Sequence, residues 1–94
     1  MKVILSTVAC TELRHAHEHI ARDNPVAALE EMKRILEAVQ RLADTKADGR
    51  EVVLRDGRSV RIWLVSSYKI YYRRTARALH IAHIFHQARR PIER

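Results

Sequence analysis

An α+β fold is predicted, in which an N-terminal strand leads into an antiparallel helical hairpin covering one face of a mostly antiparallel sheet, in the order β-α-α-β-β-β-β. Three observations predict it. Apolar residues recur every three or four positions through the first half, in two stretches divided by Asp23-Asn24-Pro25. The second half alternates instead, with a period of two. Between two of its alternating runs stands Asp56-Gly57, a strong hairpin signal.

Lys2 to Leu5 is a short β-branched run and reads as a strand. Ser6 or Thr7 then caps a helix whose apolar positions are Ala9, Leu13, Ala16 and Ile20. At the break, Asn24 is the next N-cap and Pro25 takes the first helical position, where its missing N–H costs nothing. The second helix carries the stripe Ala28, Leu29, Met32, Ile35, Leu36, Val39, Leu42 and Ala43, with Glu30–Arg34 and Glu37–Arg41 as favourable i,i+4 pairs. Met32 belongs to that stripe as packing, not as a ligand. The short joint makes the two helices antiparallel.

Asp44 to Gly49 is a polar connector to strands at Glu51 to Arg55 and Arg58 to Val65. In the latter, Val60, Ile62 and Leu64 share one face and Arg61, Trp63 and Val65 the other. Ser66-Ser67 turns into Tyr68 to Arg74; a turn at Thr75 to Ala78 leads to the strand Leu79 to His86 and the basic tail Ala88-Arg89-Arg90-Pro91. Ile62, Leu64, Ile70 and Tyr72 are expected to pack on the helices. Arg61, Trp63, Lys69, Tyr71 and Arg73 then face outward.

The 94 residues are 47% hydrophobic, and Val, Ile and Leu occur eight times each. That supports one domain, residues 1–94, with one core, and excludes a large enzyme with a separate cofactor domain. No apolar run approaches the ~18 residues that span a bilayer, so no membrane is expected and the protein is read as cytoplasmic. Lys2 to Cys10 has the faint look of a leader, but Ser6-Thr7 interrupts the run, and a strand followed by a cap explains the same residues. Cys10, alone, fits a reducing compartment and small-residue packing. His15 and His19 are i,i+4 on one helical face, yet no spacing brings a third ligand, and Glu12 and Glu18 read as surface residues. His80 and His86 alternate to one side of the last strand and His83 to the other. No metal, cofactor or small-molecule substrate is expected.

The net charge of +7 is unevenly placed. Residues 1–48 carry seven Lys/Arg against eight Asp/Glu; residues 49–94 carry eleven against three, and ten of the eleven are Arg. A solvated basic face is the plain reading. The functional one is a docking surface for nucleic acid or an acidic protein segment, since guanidinium forks grip phosphate and carboxylate in two places. Glu30, Glu31, Glu37 and Asp44 disfavour the second helix for a DNA groove, which leaves the sheet half.

Asp23-Asn24-Pro25-Val26-Ala27-Ala28, Tyr68-Lys69-Ile70-Tyr71-Tyr72-Arg73 and Ile84-Phe85-His86-Gln87-Ala88-Arg89-Arg90, in this order and over this length, resemble the RelE/ParE toxin superfamily of bacterial type II toxin–antitoxin systems, best known from plasmid stabilization. The resemblance implies growth arrest by one of two routes. ParE-like members poison DNA gyrase by binding. RelE-like members cut mRNA at the ribosome, which needs groups to move a proton and hold the scissile phosphate. The chain lacks a Tyr after Tyr72 and has one Lys in its second half, so the ParE-like branch is favoured and no catalytic residue is assigned. On the RelE-like alternative, Arg61, Arg73 and His86 would cluster. Ala47-Asp48-Gly49-Arg50 departs from the ParE pattern, which often has Pro shortly before Gly-Arg. The implied partners are a cognate antitoxin, whose acidic C-terminal segment folds on binding, and gyrase, with ribosome and mRNA as alternative. Their surface is expected at Arg61, Trp63, Lys69, Tyr71, Arg73, His86, Arg89 and Arg90.

Overall fold

The structure, a computed structural model, describes residues 1–88 together with Ile92 and Glu93. Along the chain lie β1 (Lys2–Leu5), α1 (Thr7–Ala21), α2 (Pro25–Asp44), β2 (Arg50–Val53), β3 (Ser59–Val65), β4 (Tyr68–Arg74) and β5 (Ala78–His86). This is the order expected from the sequence. Both helix starts are built as their residues dictate: Ser6 Oγ accepts from the Ala9 N–H at 2.9 Å and Asn24 Oδ1 from the Ala27 N–H at 3.1 Å.

The strands form one sheet in the order β1-β5-β4-β3-β2. β1 runs parallel to β5, and the other three pairings are antiparallel. A parallel pair needs a long crossover, which the hairpin and the other strands supply. Beyond Ile81, β5 has no strand on the β1 side, and α1 takes over its edge. Ser6 Oγ donates to the Ala82 carbonyl, and Glu12 accepts from the Ile84 N–H at 3.0 Å. Glu12 is therefore half-buried and structural, not the plain surface residue expected.

The helices cover one face of the sheet, where Ile35, Val39 and Leu42 meet Ile70, Tyr72, Leu79 and Ile81. The opposite face is also apolar. There Val52, Leu54, Val60, Ile62, Tyr71 and Phe85 form a second cluster under Ile92.

That second cluster overturns the expected faces of β3. Directly opposed residues share a face, and β3 pairs Trp63 with Ile70 and Val65 with Tyr68, but Ile62 with Tyr71 and Leu64 with Lys69. Arg61, Trp63 and Val65 thus look toward the helices, whereas Val60, Ile62 and Leu64 lie on the outer face. A shift in the β4–β5 register is a second departure. Tyr71 opposes His83 and Tyr72 opposes Ile81, leaving Ala82 as the extra residue of a bulge. The bulge places His80 and His83 together on the outer face and His86 on the helix face. Third, Leu54 and Arg58 close a three-residue loop, Arg55-Asp56-Gly57, in place of a two-residue turn, with Gly57 at φ 92°.

Candidate functional site

The connector between α2 and β2 is tied to the sheet by one polar knot. Asp48 Oδ1 accepts from Arg74 Nη2 at 3.0 Å and from the Tyr72 hydroxyl at 3.0 Å, and Arg74 also donates to the Leu42 and Ala47 carbonyls. Tyr72 Oη accepts from the Gly49 N–H at 2.7 Å, and Arg61 Nη1 donates to the Gly49 carbonyl at 2.8 Å. Burial alone would raise the Asp48 carboxyl; the hydrogen bonds from Arg74 and Tyr72 and the charge of Arg74 outweigh it, so its pKa lies below the ordinary carboxylate value. Arg61 also faces Glu51 at 3.8 Å. It is a bracing residue on the helix side, not the outward cation expected.

On the outer face, Glu93 crosses to the sheet and pairs with Leu54. Its carboxylate accepts from the Tyr71 hydroxyl at 2.6 Å and stands 3.9 Å from Lys69 Nζ, while Ile92 packs on the apolar cluster. Tyr71 is fully buried, and burial together with the Glu93 hydrogen bond pushes its phenol well up. Two residues expected to meet a partner, Lys69 and Tyr71, are thus engaged by the chain's own C-terminal segment. Arg73 remains exposed on this face, opposite His80.

Trp63 lines a groove of about 310 Å³ between α2 and β3, together with Arg41, Glu37, the exposed Leu64 and Arg34, which is paired with Glu30 and Glu31. His86 stands on the helix face with its ring edge-on to Tyr68 at 5.3 Å and its Nδ1 accepting from the Ala88 N–H. Arg89 and Arg90 lie outside the described residues. Of the expected surface, then, Arg61, Trp63 and His86 are on the helix side, and Lys69, Tyr71 and Arg73 are on the other. Arg61, Arg73 and His86 do not converge. His15 and His19 line a cavity with Glu12, Tyr68 and His86, but no three metal-ligating side chains stand in ligating geometry among the described residues. No helix among them is long and apolar enough to cross a membrane.

Leu29 and Leu36, expected in the packing stripe of α2, are exposed instead, and Val26 stands exposed with them. Val26, Leu29 and Leu36 on α2 are 64%, 65% and 48% exposed. Their spacing of three and seven places them on one side of the helix, beside the buried stripe of Ala28, Ile35 and Leu42. The usable signal was that the apolar arc of α2 is wider than one sheet contact needs.

A helical hairpin on a five-stranded sheet with an Arg-rich second half is the small α+β architecture expected of the superfamily that the sequence resembles. Residues 3–91 match the family described as ParE toxin of type II toxin-antitoxin system, parDE, and the chain belongs to that family. A solved structure of the chromosomal ParDE TA system from P. aeruginosa is similar in fold, with a TM-score of 0.76 at 20% identity over 92% of this chain and 95% of that one. No curated protein matches the chain.

Proposed function

We propose that this toxin arrests growth in the cytoplasm by binding and poisoning DNA gyrase, and that a cognate antitoxin neutralises it. The observation that carries the choice of target is the separation of Arg61 and His86 from Arg73 across the two faces of the sheet. RNA cleavage of the RelE-like kind asks proton-moving and phosphate-holding groups to meet at one bond. These three do not meet. Binding makes no such demand and uses a distributed surface.

The antitoxin site is the groove between α2 and β3 and the apolar side of α2. Trp63 beside Arg41 supplies an aromatic anchor with a cation, and Val26, Leu29 and Leu36 supply the apolar contact that an acidic amphipathic segment covers as it folds. Arg73 adds an exposed cation for the target, and charge reversal at Arg89 and Arg90, which lie outside the described residues, is expected to weaken gyrase inhibition.

The deciding experiment runs two assays on one protein: gyrase supercoiling of plasmid with the purified chain, and primer extension on mRNA after its induction in cells. Inhibited supercoiling with uncut mRNA is expected. Codon-phased cuts with unaffected supercoiling overturn the proposal.

A further inference from the structure

The half of the outer face that Ile92 and Glu93 leave uncovered holds a cavity of about 440 Å³. Its floor is a row across adjacent strands. Ile4 of β1 opposes His80 of β5, and His80 opposes Arg73 of β4. Val60 adds an apolar wall, and Arg58 and Ser59 enter from the end of the β2–β3 hairpin.

Two features make this row unusual. Arg73 and His80, a guanidinium and an imidazole that can both donate hydrogen bonds, face each other directly on neighbouring strands. Among the described residues no carboxylate pairs with Arg73. The neighbouring acids are engaged elsewhere: Glu51, which shares a second pocket with Arg73, faces Arg61 at 3.8 Å, Asp56 pairs with Arg58 at 2.8 Å, and Glu93 meets Tyr71 and Lys69 on the covered half.

We propose that this cavity is a binding site for a phosphate group carried on an organic ligand, a nucleotide or the end of a nucleic-acid strand. The donors come from separate directions: a guanidinium on β4, an imidazole on β5, and a guanidinium and a hydroxyl from the hairpin end. A planar carboxylate is satisfied by a single guanidinium fork, whereas a tetrahedral dianion uses donors converging from several sides. The apolar side chains of Ile4 in the floor and Val60 in the wall give a base or sugar a surface to lie on, and the volume falls in the range of small-molecule sites. The inference rests on this geometry and not on the gyrase proposal.

The test is calorimetric titration of the full chain with inorganic phosphate, adenosine monophosphate, a single-stranded hexadeoxynucleotide and a hexaglutamate peptide. All three phosphate probes are expected to bind. Tighter binding of the mononucleotide identifies a free nucleotide as the ligand, and tighter binding of the hexamer identifies a strand. Arg73→Gln and His80→Gln are each expected to weaken the better probe about tenfold or more, with circular dichroism and melting temperature unchanged. Arg14→Gln, on α1, is expected to have no effect. No binding of any phosphate probe overturns the proposal, as does stronger binding of hexaglutamate. Equal weakening by Arg14→Gln, or undiminished binding in both folded site variants, overturns it too, since either reports general charge attraction.

Discussion

Gly49 is held to glycine by space, and its replacement by alanine is expected to be the most damaging single-methyl change in the chain. A Cβ built there overlaps the Ile62 carbonyl oxygen and lies 2.7 Å from the Ile62 carbonyl carbon, both backbone atoms that no rotamer can move. Relief requires the connector to lift away from β3. That lift stretches the Gly49 N–H bond to Tyr72 and the Arg61 bond to the Gly49 carbonyl, at 2.7 and 2.8 Å. Two such hydrogen bonds contribute about 2 kcal/mol, and forcing a backbone shift in a packed region adds about 1 more. A loss of about 3 kcal/mol is a large share of the roughly 5–14 kcal/mol that stabilises a domain of this size. At about 4–8 °C per kcal/mol, the melting temperature should fall by roughly 12–24 °C. Gly57→Ala is the control, because Gly57 has the left-handed φ of 92° and its replacement costs about 1–2 kcal/mol. Thermal melts followed by circular dichroism give both values. A drop of less than about 3 °C for Gly49→Ala, or a larger drop for Gly57→Ala, would refute the reasoning.

Ile62→Asp should unfold the chain or cost about 4 kcal/mol or more in urea titration, because a charge enters the covered outer cluster, whereas Leu64→Asp, two residues on and 59% exposed, should change stability by less than about 1 kcal/mol. Asp48 has a folded pKa below its ordinary value of 3.8, so its contribution is present above that value and is lost as pH falls through the lower, folded one; Asp48→Asn should be less stable than the parent at pH 7, with the gap closing toward pH 2 in acid melts. Tyr71→Phe removes the donor to Glu93 and should cost about 1–2 kcal/mol while raising hydrogen exchange at the Arg55 amide, which donates to the Ile92 carbonyl. The raised phenol of Tyr71 contributes stability that is complete below pH 10 and declines as pH rises toward its folded value, so alkaline unfolding should be less steep in Tyr71→Phe.

The elements whose signals are local are legible in the sequence. Asn24 and Pro25 start α2 where capping chemistry places them, and Ser6 caps α1 with the hydroxyl that the sequence offers. Side-chain direction across the sheet is not. A period of two separates the residues of β3 into two sets but assigns neither to the helices, and the usual tie-breaker is that one set is polar. Here Val60 and Ile62 on one face and Trp63 and Val65 on the other are all apolar, because Ile92 returns to bury the face opposite the helices. A residue far along the chain therefore decides which set is which. The bulge at Ala82 carries no composition signal either, as it inserts an alanine into a run that alternates acceptably without it.

The same long-range pairing decides which cations can act on another molecule. Counted along the chain, the second half is a uniform excess of arginine. Folded, Arg74 is consumed by Asp48 and two carbonyls, Arg61 by Gly49 and Glu51, Lys69 by Glu93, and one edge of Arg58 by Asp56. Each acid of that half, Glu51, Asp56 and Glu93, is thus matched to a basic side chain beside it. Arg73 is the described cation on the outer face that stands opposite a histidine and not an acid. Net charge favours an anionic partner, but the placement of three carboxylates decides which cations of the second half are left to meet one, and Arg73 is the cation that carries the site proposed on the uncovered half of the outer face.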